Sequence, residues 1–308
     1  TTGVRNTYIG GLAGDEATTA NDNTGVGYGA LSAPGTGTQN TAIGTAALNV
    51  NTDGDNNTAV GRNALLANTT ADNNTAVGYA SLGANTTGTS NVAVGANALD
   101  ANTTASNNTA VGYTTLTSNT TGAENTAVGK GALYYNITGG SNTAVGHSAL
   151  YANTTGTRNT ALGRTALQSN TTGSDNTSAG YFSMYLNTTG QLNTAFGKEA
   201  LKQNTTGSNN TAVGGSALRL NTTGTLNTAV GTGALTSNTT GTQNVSLGSS
   251  ALAANTTANN NTAVGHNSGG SITTGIQNTL IGSLAGDALT TSNNNVAIGA
   301  HALTTDTL

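Results

Sequence analysis

The chain has 308 residues, of which 6% are charged, and its formal net charge at pH 7 is −4. Soluble proteins usually carry about 25% charged residues. The eight Lys and Arg residues are scattered along the sequence. We therefore expect no basic patch for nucleic acids. No run of eighteen apolar residues occurs, which argues against a transmembrane helix. The absence of Cys rules out disulfides but says little about compartment.

An Asn recurs at every seventeenth position, eighteen times from Asn6 to Asn295, and a Gly follows four residues after each. The consensus is N-T-A-V-G-x-x-A-L-x-x-N-T-T-G-x-x, which we number as positions 1 to 17; one copy is a rung. Stacked coils require strict spacing, whereas loops of globular domains tolerate insertions. The period therefore predicts one solenoid domain over residues 1–308.

Residues 142–158, NTAVGHSALYANTTGTR, show the elements of one rung in order. A short strand is predicted at Thr143 to Val145, followed by a bend at Gly146. A second short strand is predicted over residues 149–151, and a turn begins at Asn153. No apolar spacing typical of helices occurs. The predicted fold class is all-β, a parallel β-solenoid or β-roll of about 18 rungs stacked about 4.7–4.9 Å apart.

Identical side chains should stack as columns, with amide ladders along the Asn column. The expected structural columns include Asn74, Asn142 and Asn210; Gly78, Gly146 and Gly214; Val77 and Val145; and Leu82 and Leu150. Two large apolar side chains buried per coil contribute roughly 1.5–3 kcal/mol each. Ordering the backbone costs about 1–2 kcal/mol per residue. We therefore infer that identical chains associate through the small Ala columns; a monomer with Ala-filled interior corners is the alternative.

The rungs near residues 1–20 and 264–290 differ from the consensus. Gly14 and Gly286 replace the usual Leu, and Leu12 and Leu284 lie two places earlier. One interpretation is a cap or transition at each end. The other is a higher-order unit of a longer fibre, with chains joined end to end.

Residue clusters that would support catalysis are absent from the repeat. His147 and His266 occupy the same repeat position seven rungs apart, and no Ser-His-Asp arrangement is available. Asp53, Asp55 and Asp72 fall on adjacent turns and would suit Ca²⁺, although solvated turns are the favoured interpretation. We expect no enzyme activity, no cofactor and no metal.

The variable positions after the Gly and after the Leu should face outward. Tyr134, Tyr135 and Tyr151 lie on neighbouring rungs and Tyr185 two rungs further on, so they are candidates for a glycan-binding platform. Alternatively, Tyr is simply common on β-surfaces or packs between chains. Twelve rungs contain Asn-x-Thr, from Asn68 to Asn255, which indicates either turn chemistry or glycosylation acceptors.

The repeat resembles the short head repeats of trimeric autotransporter adhesins. It is more similar still to the seventeen-residue N-T-A-x-G-x-x-A-L-x-x-N-T-T-G repeats of phage tail-fibre-like proteins, over essentially the whole chain. The resemblance implies a left-handed, homotrimeric fibre on a virion or cell surface. It also implies that the chain's main partner is itself. The self-cleaving chaperone domain that often ends tail-fibre relatives has no counterpart here.

The sequence and the resemblance leave three alternative functions. The first is a structural extracellular fibre, a stiff spacer that displays adhesive faces. The second is an adhesin that binds a cell-surface glycan or receptor through the Tyr-bearing columns. The third is a monomeric solenoid that orders water as ice-binding proteins do, although no outward T-x-T row is obvious.

Overall fold

The computed structural model describes residues 3–33 and 35–304, and this part of the chain contains strands and turns but no helix. It is a parallel β-solenoid of eighteen rungs, divided into two compact units, Thr1–Thr155 and Gly156–Leu308. Each rung has one three-residue strand, with β1–β9 in the first unit and β10–β18 in the second. The strands are β1 Thr7–Ile9, β2 Thr24–Val26, β3 Thr41–Ile43, β4 Thr58–Val60, β5 Thr75–Val77, β6 Val92–Val94, β7 Thr109–Val111, β8 Thr126–Val128, β9 Thr143–Val145, β10 Thr160–Leu162, β11 Thr177–Ala179, β12 Thr194–Phe196, β13 Thr211–Val213, β14 Thr228–Val230, β15 Val245–Leu247, β16 Thr262–Val264, β17 Thr279–Ile281 and β18 Val296–Ile298.

Within each unit, consecutive strands pair in parallel at an offset of one repeat. In the first unit Ala59 is opposite Ala76, and in the second Ala212 is opposite Ala229. The ladder continues past the strand, because the N–H of Gly78 donates to the carbonyl of Val60 at 2.8 Å. The predicted all-β parallel solenoid and its seventeen-residue register are confirmed.

The prediction of a second strand in each rung, over residues 149–151 in the example, is wrong. Positions 6 to 11 form consecutive turns, in which position 7 and the Leu at position 9 have left-handed backbones, as at Ala80 (φ 52°) and Leu82 (φ 51°). Left-handed residues at alternate positions cannot form an extended strand. This conformation costs a residue with a β-carbon about 1–2 kcal/mol. Burial of the Leu side chain, worth about 1.5–3 kcal/mol, offsets it.

The core contains one large side chain per typical rung rather than two. Leu82 and Leu150 are fully buried, whereas Val145 is 37% exposed and Val77 is partly exposed. The centre of a three-residue strand points inward and its flanking residues point outward. The Val column therefore lies outside, and the expectation that it belongs to the core is wrong.

The Ala columns also lie inside the coil. Ala at position 3, the strand centre, and at position 8, next to Leu, is fully buried in typical rungs, as at Ala76 and Ala98. These residues therefore provide no surface for another chain, and the inference that chains associate through them is wrong. The small side chains leave space for the single Leu, which matches the alternative of Ala-filled interior corners.

The variant rungs conserve core volume by exchanging side chains. In the rung of Gly14, position 3 is Tyr8, and a β-carbon on Gly14 would come within 2.6 Å of the Tyr8 ring. In the rung of Gly286, a β-carbon would come within 2.7 Å of Cδ2 of Leu280, again at position 3. Leu12 is half exposed and does not replace the missing core Leu. In these two rungs the interior is therefore filled from position 3 instead of position 9.

The Gly at position 5 is required by both conformation and space. Gly214 has φ +127°, and a β-carbon there would lie 2.7 Å from the carbonyl carbon and oxygen of Gly231 on the next rung. This backbone region is essentially restricted to Gly. All eighteen rungs have Gly at this position. The bend after each strand therefore brings successive backbones too close for any other residue.

We predict that Gly214→Ala lowers stability, because backbone strain of about 1–3 kcal/mol adds to the clash with the next rung. Gly215→Ala is the matched control, since a β-carbon at Gly215 meets no atom within 4 Å and the backbone is outside the left-handed region. Urea unfolding followed by circular dichroism measures both variants. Equal midpoints for the two would contradict the assigned role of position 5.

Candidate functional site

The Asn column at position 1 forms a buried amide ladder. The backbone N–H of Asn210 donates to Oδ1 of Asn193 at 3.0 Å, and its Nδ2 donates to the same oxygen at 3.2 Å. Nδ2 also donates to the carbonyl of Gly224 at 2.8 Å. The short amide side chain is needed because it supplies both an acceptor and two donors. The predicted Asn ladder is confirmed.

A second buried ladder runs along position 12, which thirteen of the eighteen rungs fill with Asn. Nδ2 of Asn204 donates to Oδ1 of Asn187 at 2.7 Å and to the carbonyl of Gly207 at 2.8 Å. That carbonyl also accepts from Asn193 at 2.8 Å. The two ladders thus meet at the carbonyl of position 15 and join the beginning of the coil to its end.

The Asn-x-Thr sequences belong to this second ladder. Their Asn residues, including Asn68, Asn136 and Asn255, have no exposed surface. Nδ2 of Asn136 donates to Oδ1 of Asn119 and to the carbonyl of Gly139, both at 2.8 Å. In the folded chain these amides are therefore inaccessible as glycosylation acceptors. Sequence reasoning offered turn chemistry or glycosylation for these Asn residues and missed the ladder, although their recurrence at one repeat position was an available signal.

The second ladder ends at Asn255, and this end shows what each amide oxygen in the ladder requires. The next rung has Ile272 at position 12, and Oδ1 of Asn255 is buried without a hydrogen-bond partner. The Asn255 Nδ2 still donates to Oδ1 of Asn238 at 2.9 Å. Each amide oxygen thus depends on the Asn of the following rung.

The outer face of the strands, which we call the strand face, consists of positions 2 and 4. Position 2 is Thr in fifteen rungs and Val in the other three. Position 4 is an exposed or half-exposed aliphatic or aromatic residue in every rung except that of Ala179, with Phe196 46% exposed. Neither position carries a charged residue. Along a typical strand, positions 2 to 4 read T-x-V rather than T-x-T. One of the two outward columns is therefore apolar.

Tyr134, Tyr135 and Tyr151 form one compact group, the tyrosine cluster, in the first unit. The rings of Tyr134 and Tyr151 are stacked with centroids 5.2 Å apart, and Tyr135 is edge-on to both, at 4.7 and 5.2 Å. Burial, followed by the neighbouring Tyr135 hydroxyl, raises the pKa of Tyr151. Tyr135 is 47% exposed and presents the accessible ring surface. The three neighbouring rings expected from the sequence are therefore brought together.

Tyr185 contacts a different set of rings, in the second unit. Its ring is edge-on to Phe182 with centroids 4.8 Å apart, and Phe182 is 4.2 Å from Tyr181. Nζ of Lys202 lies 5.1 Å from the Phe182 centroid, and the Arg164 guanidinium lies 5.9 Å from that of Tyr181. Sequence reasoning missed this group. The available signal was a pair of adjacent aromatic residues in one rung. The rungs on both sides have a cation at position 6.

The acidic residues singled out by the sequence bind the backbone and hydroxyl groups of neighbouring rungs. Oδ1 of Asp55 accepts from the N–H of Thr38 at 2.6 Å, and Oδ1 of Asp72 accepts from the N–H of Asp55 at 2.7 Å. Oδ1 of Asp53 accepts from the Thr36 hydroxyl at 2.8 Å. Over residues 3–33 and 35–304, no group of three His, Cys, Asp or Glu side chains is arranged to hold a metal ion.

Two exposed ion pairs connect position 17 of adjacent rungs. Arg5 pairs with Asp22, and Nε of Arg158 lies 2.7 Å from Oδ1 of Asp175. Hydrogen bonds from the guanidinium lower the pKa of each Asp below its ordinary value. Exposed pairs of this kind contribute little to stability.

No protein-family model matches this chain, and no curated protein is significantly similar to it. The described residues contain no helix long and apolar enough to cross a membrane. Function must therefore be argued from the surfaces of the coil.

We predict that Asn204→Ala destabilises the second unit, because it leaves Oδ1 of Asn187 buried without its donor. Each such group costs about 1–3 kcal/mol. Urea unfolding gives the size of the loss, and hydrogen exchange locates it at the neighbouring rungs. Gln203→Ala is the control, since an ordinary surface change stays within about 0.5 kcal/mol. An unchanged midpoint for Asn204→Ala would show that the ladder is dispensable.

Proposed function

We propose that this chain is the structural repeat module of an extracellular fibre, and that identical chains associate through the strand face. The observation that carries the proposal is the row of exposed or half-exposed apolar side chains at position 4, which is present in each unit. A monomeric protein rarely leaves a large contiguous apolar surface in water. On a virion or cell surface, such a fibre acts as a stiff spacer.

The chemistry of the strand face supports association between copies. Thr and Val side chains repeat at the rung spacing, so two copies of the face present matching ridges and grooves. No charged side chain on positions 2 and 4 would be desolvated or repelled by such a contact. Identical surfaces pack most simply around a symmetry axis. The resemblance of N-T-A-V-G-x-x-A-L to trimeric adhesin heads suggests three copies.

The test is the mass in solution. We expect a stable particle of three 30.0 kDa chains in sedimentation equilibrium. Lys substitution of three neighbouring position-4 residues should dissociate it, because burying an unpaired Lys is costly: Val77→Lys, Val94→Lys and Val111→Lys.

The matched control adds the same three charges at exposed position 14, where no contact is proposed, through Thr87→Lys, Thr104→Lys and Thr121→Lys. Dissociation by both sets, or a 30.0 kDa wild-type particle, would refute association through the strand face. A monomer would instead favour the water-ordering alternative, which an ice-recrystallisation assay distinguishes.

A second candidate function is saccharide binding at the tyrosine cluster. The specific observation in its favour is the gathering of three rings around the exposed Tyr135. Aromatic faces suit the apolar faces of sugar rings, and phenolic hydroxyls supply hydrogen bonds. Binding is the only chemistry proposed for the tyrosine cluster.

We predict that Tyr135→Ser abolishes any binding of neutral oligosaccharides on a glycan array, because it removes the accessible ring. Tyr28→Ser is the control, since Tyr28 is an exposed Tyr at position 6 of another rung. Equal loss of oligosaccharide binding in both variants would show that the tyrosine cluster is not a specific binding site. No binding to the array by the wild-type chain would favour the spacer alone.

A further inference from the structure

We propose that the second unit carries a binding site for an acidic saccharide, built from Tyr181, Phe182 and Tyr185 together with Arg164, Lys198, Lys202 and Arg219. We call this group of residues the basic aromatic patch. It differs from the tyrosine cluster in its charge and in its ligand. It is independent of the number of chains in the assembly.

The aromatic part of the patch comes from one unusual rung. Residues 176–192 place Tyr181 and Phe182 directly after the position-5 Gly and Tyr185 after the position-9 residue, Met184. Phe182 lies between the other two rings, at interplanar angles of 61° and 83°. Tyr181 is 40% exposed, and Phe182 and Tyr185 are half-buried. The three side chains therefore form an open, fixed apolar surface with hydroxyl groups.

Cations lie on the rungs on both sides of these rings. The Arg164 guanidinium lies over Tyr181 from one side, and Nζ of Lys202 lies over Phe182 from the other. The seventeen-residue register places Lys198 one rung beyond Tyr181 and Arg219 one rung beyond Lys202. Half of the chain's eight Lys and Arg residues thus lie on four consecutive rungs. Sequence reasoning predicted no basic patch for nucleic acids, whereas these four residues are grouped here for a different class of ligand.

The patch has an excess of positive charge although the chain is acidic overall. Glu199 is its one carboxylate, and Oε1 of Glu199 lies 3.3 Å from Nζ of Lys202. Asp175, the other acidic residue nearby in sequence, is paired with Arg158 at position 17. Three of the four cations are therefore without a carboxylate partner among the described ion pairs. Such cations attract an anion, and the rings beside them attract its apolar portion.

An acidic saccharide fits this combination better than a nucleic acid does. Bases bind single-strand proteins by stacking on open ring faces. Here the rings pack edge to face, and cations lie over Tyr181 and Phe182. Nucleic-acid affinity also depends on neutralising many closely spaced phosphates. Four cations on rungs about 4.8 Å apart suit a short uronic acid oligomer, which carries one carboxylate on each sugar ring.

The experiment is isothermal titration calorimetry of the full chain with a short oligogalacturonate. We expect binding that weakens with added salt, because the contacts are between exposed charges. The double variant Arg164→Gln and Lys202→Gln should lose about tenfold or more in affinity, the value of one charge-assisted hydrogen bond. Arg62→Gln, which removes a cation from position 6 of the first unit, should leave affinity unchanged.

The ligand controls separate the competing outcomes. The methyl-esterified oligogalacturonate has the same rings without the charge, and equal binding of it would overturn the acidic specificity. Tighter binding of a single-stranded polythymidine than of oligogalacturonate would assign the patch to nucleic acid and overturn the proposal. So would no measurable binding of oligogalacturonate. Tyr135→Ser should leave oligogalacturonate binding unchanged. Failure of the proposal for the basic aromatic patch is thereby distinguished from failure of the neutral-saccharide proposal for the tyrosine cluster.

Discussion

In the thirteen rungs with Asn at both positions 1 and 12, one carbonyl group at position 15 joins the two ends of the coil. In the rung of residues 193–209 it belongs to Gly207, and it accepts from Asn193 at position 1 and Asn204 at position 12. Both amides also bind the Asn of the previous rung. The same side chains therefore close one coil and align it with the next. Because they are fully buried, water cannot replace these hydrogen bonds.

This arrangement explains how a coil with so small an apolar core is specified. A typical rung buries one Leu and two Ala side chains, and the remaining interior positions are amides that satisfy each other. In typical rungs the most variable residues are those whose side chains leave the coil. The strand face holds mainly Thr and Val, whereas positions 6, 7, 10 and 11 hold most of the aromatic and basic residues. We assign self-association to the first surface and ligand binding to the second.

The period of the Asn residues was sufficient to predict the parallel solenoid, its register and its position-1 ladder, because identical spacing leaves no other way to stack the coils. It also placed Tyr134 and Tyr151 on neighbouring rungs. It failed for Leu82 and Leu150, which were assigned to a strand although their backbones are left-handed. Left-handed leucines are disfavoured locally, so no propensity rule predicts them. The basic aromatic patch was missed because its residues occupy four rungs and several repeat positions.

The sequence by itself determined that every rung has the same length, the same bend at a Gly and one amide at its start, since each follows from strict recurrence. Only the tertiary structure decided which columns face inward. Val and Leu are similarly apolar, yet the three-residue strand turns Val145 outward and the left-handed turn directs Leu150 inward. That choice depends on how the coil closes, through side-chain hydrogen bonds to a carbonyl fourteen residues after position 1 and three residues after position 12. Recurrence in the sequence reveals the columns but not the direction of their side chains.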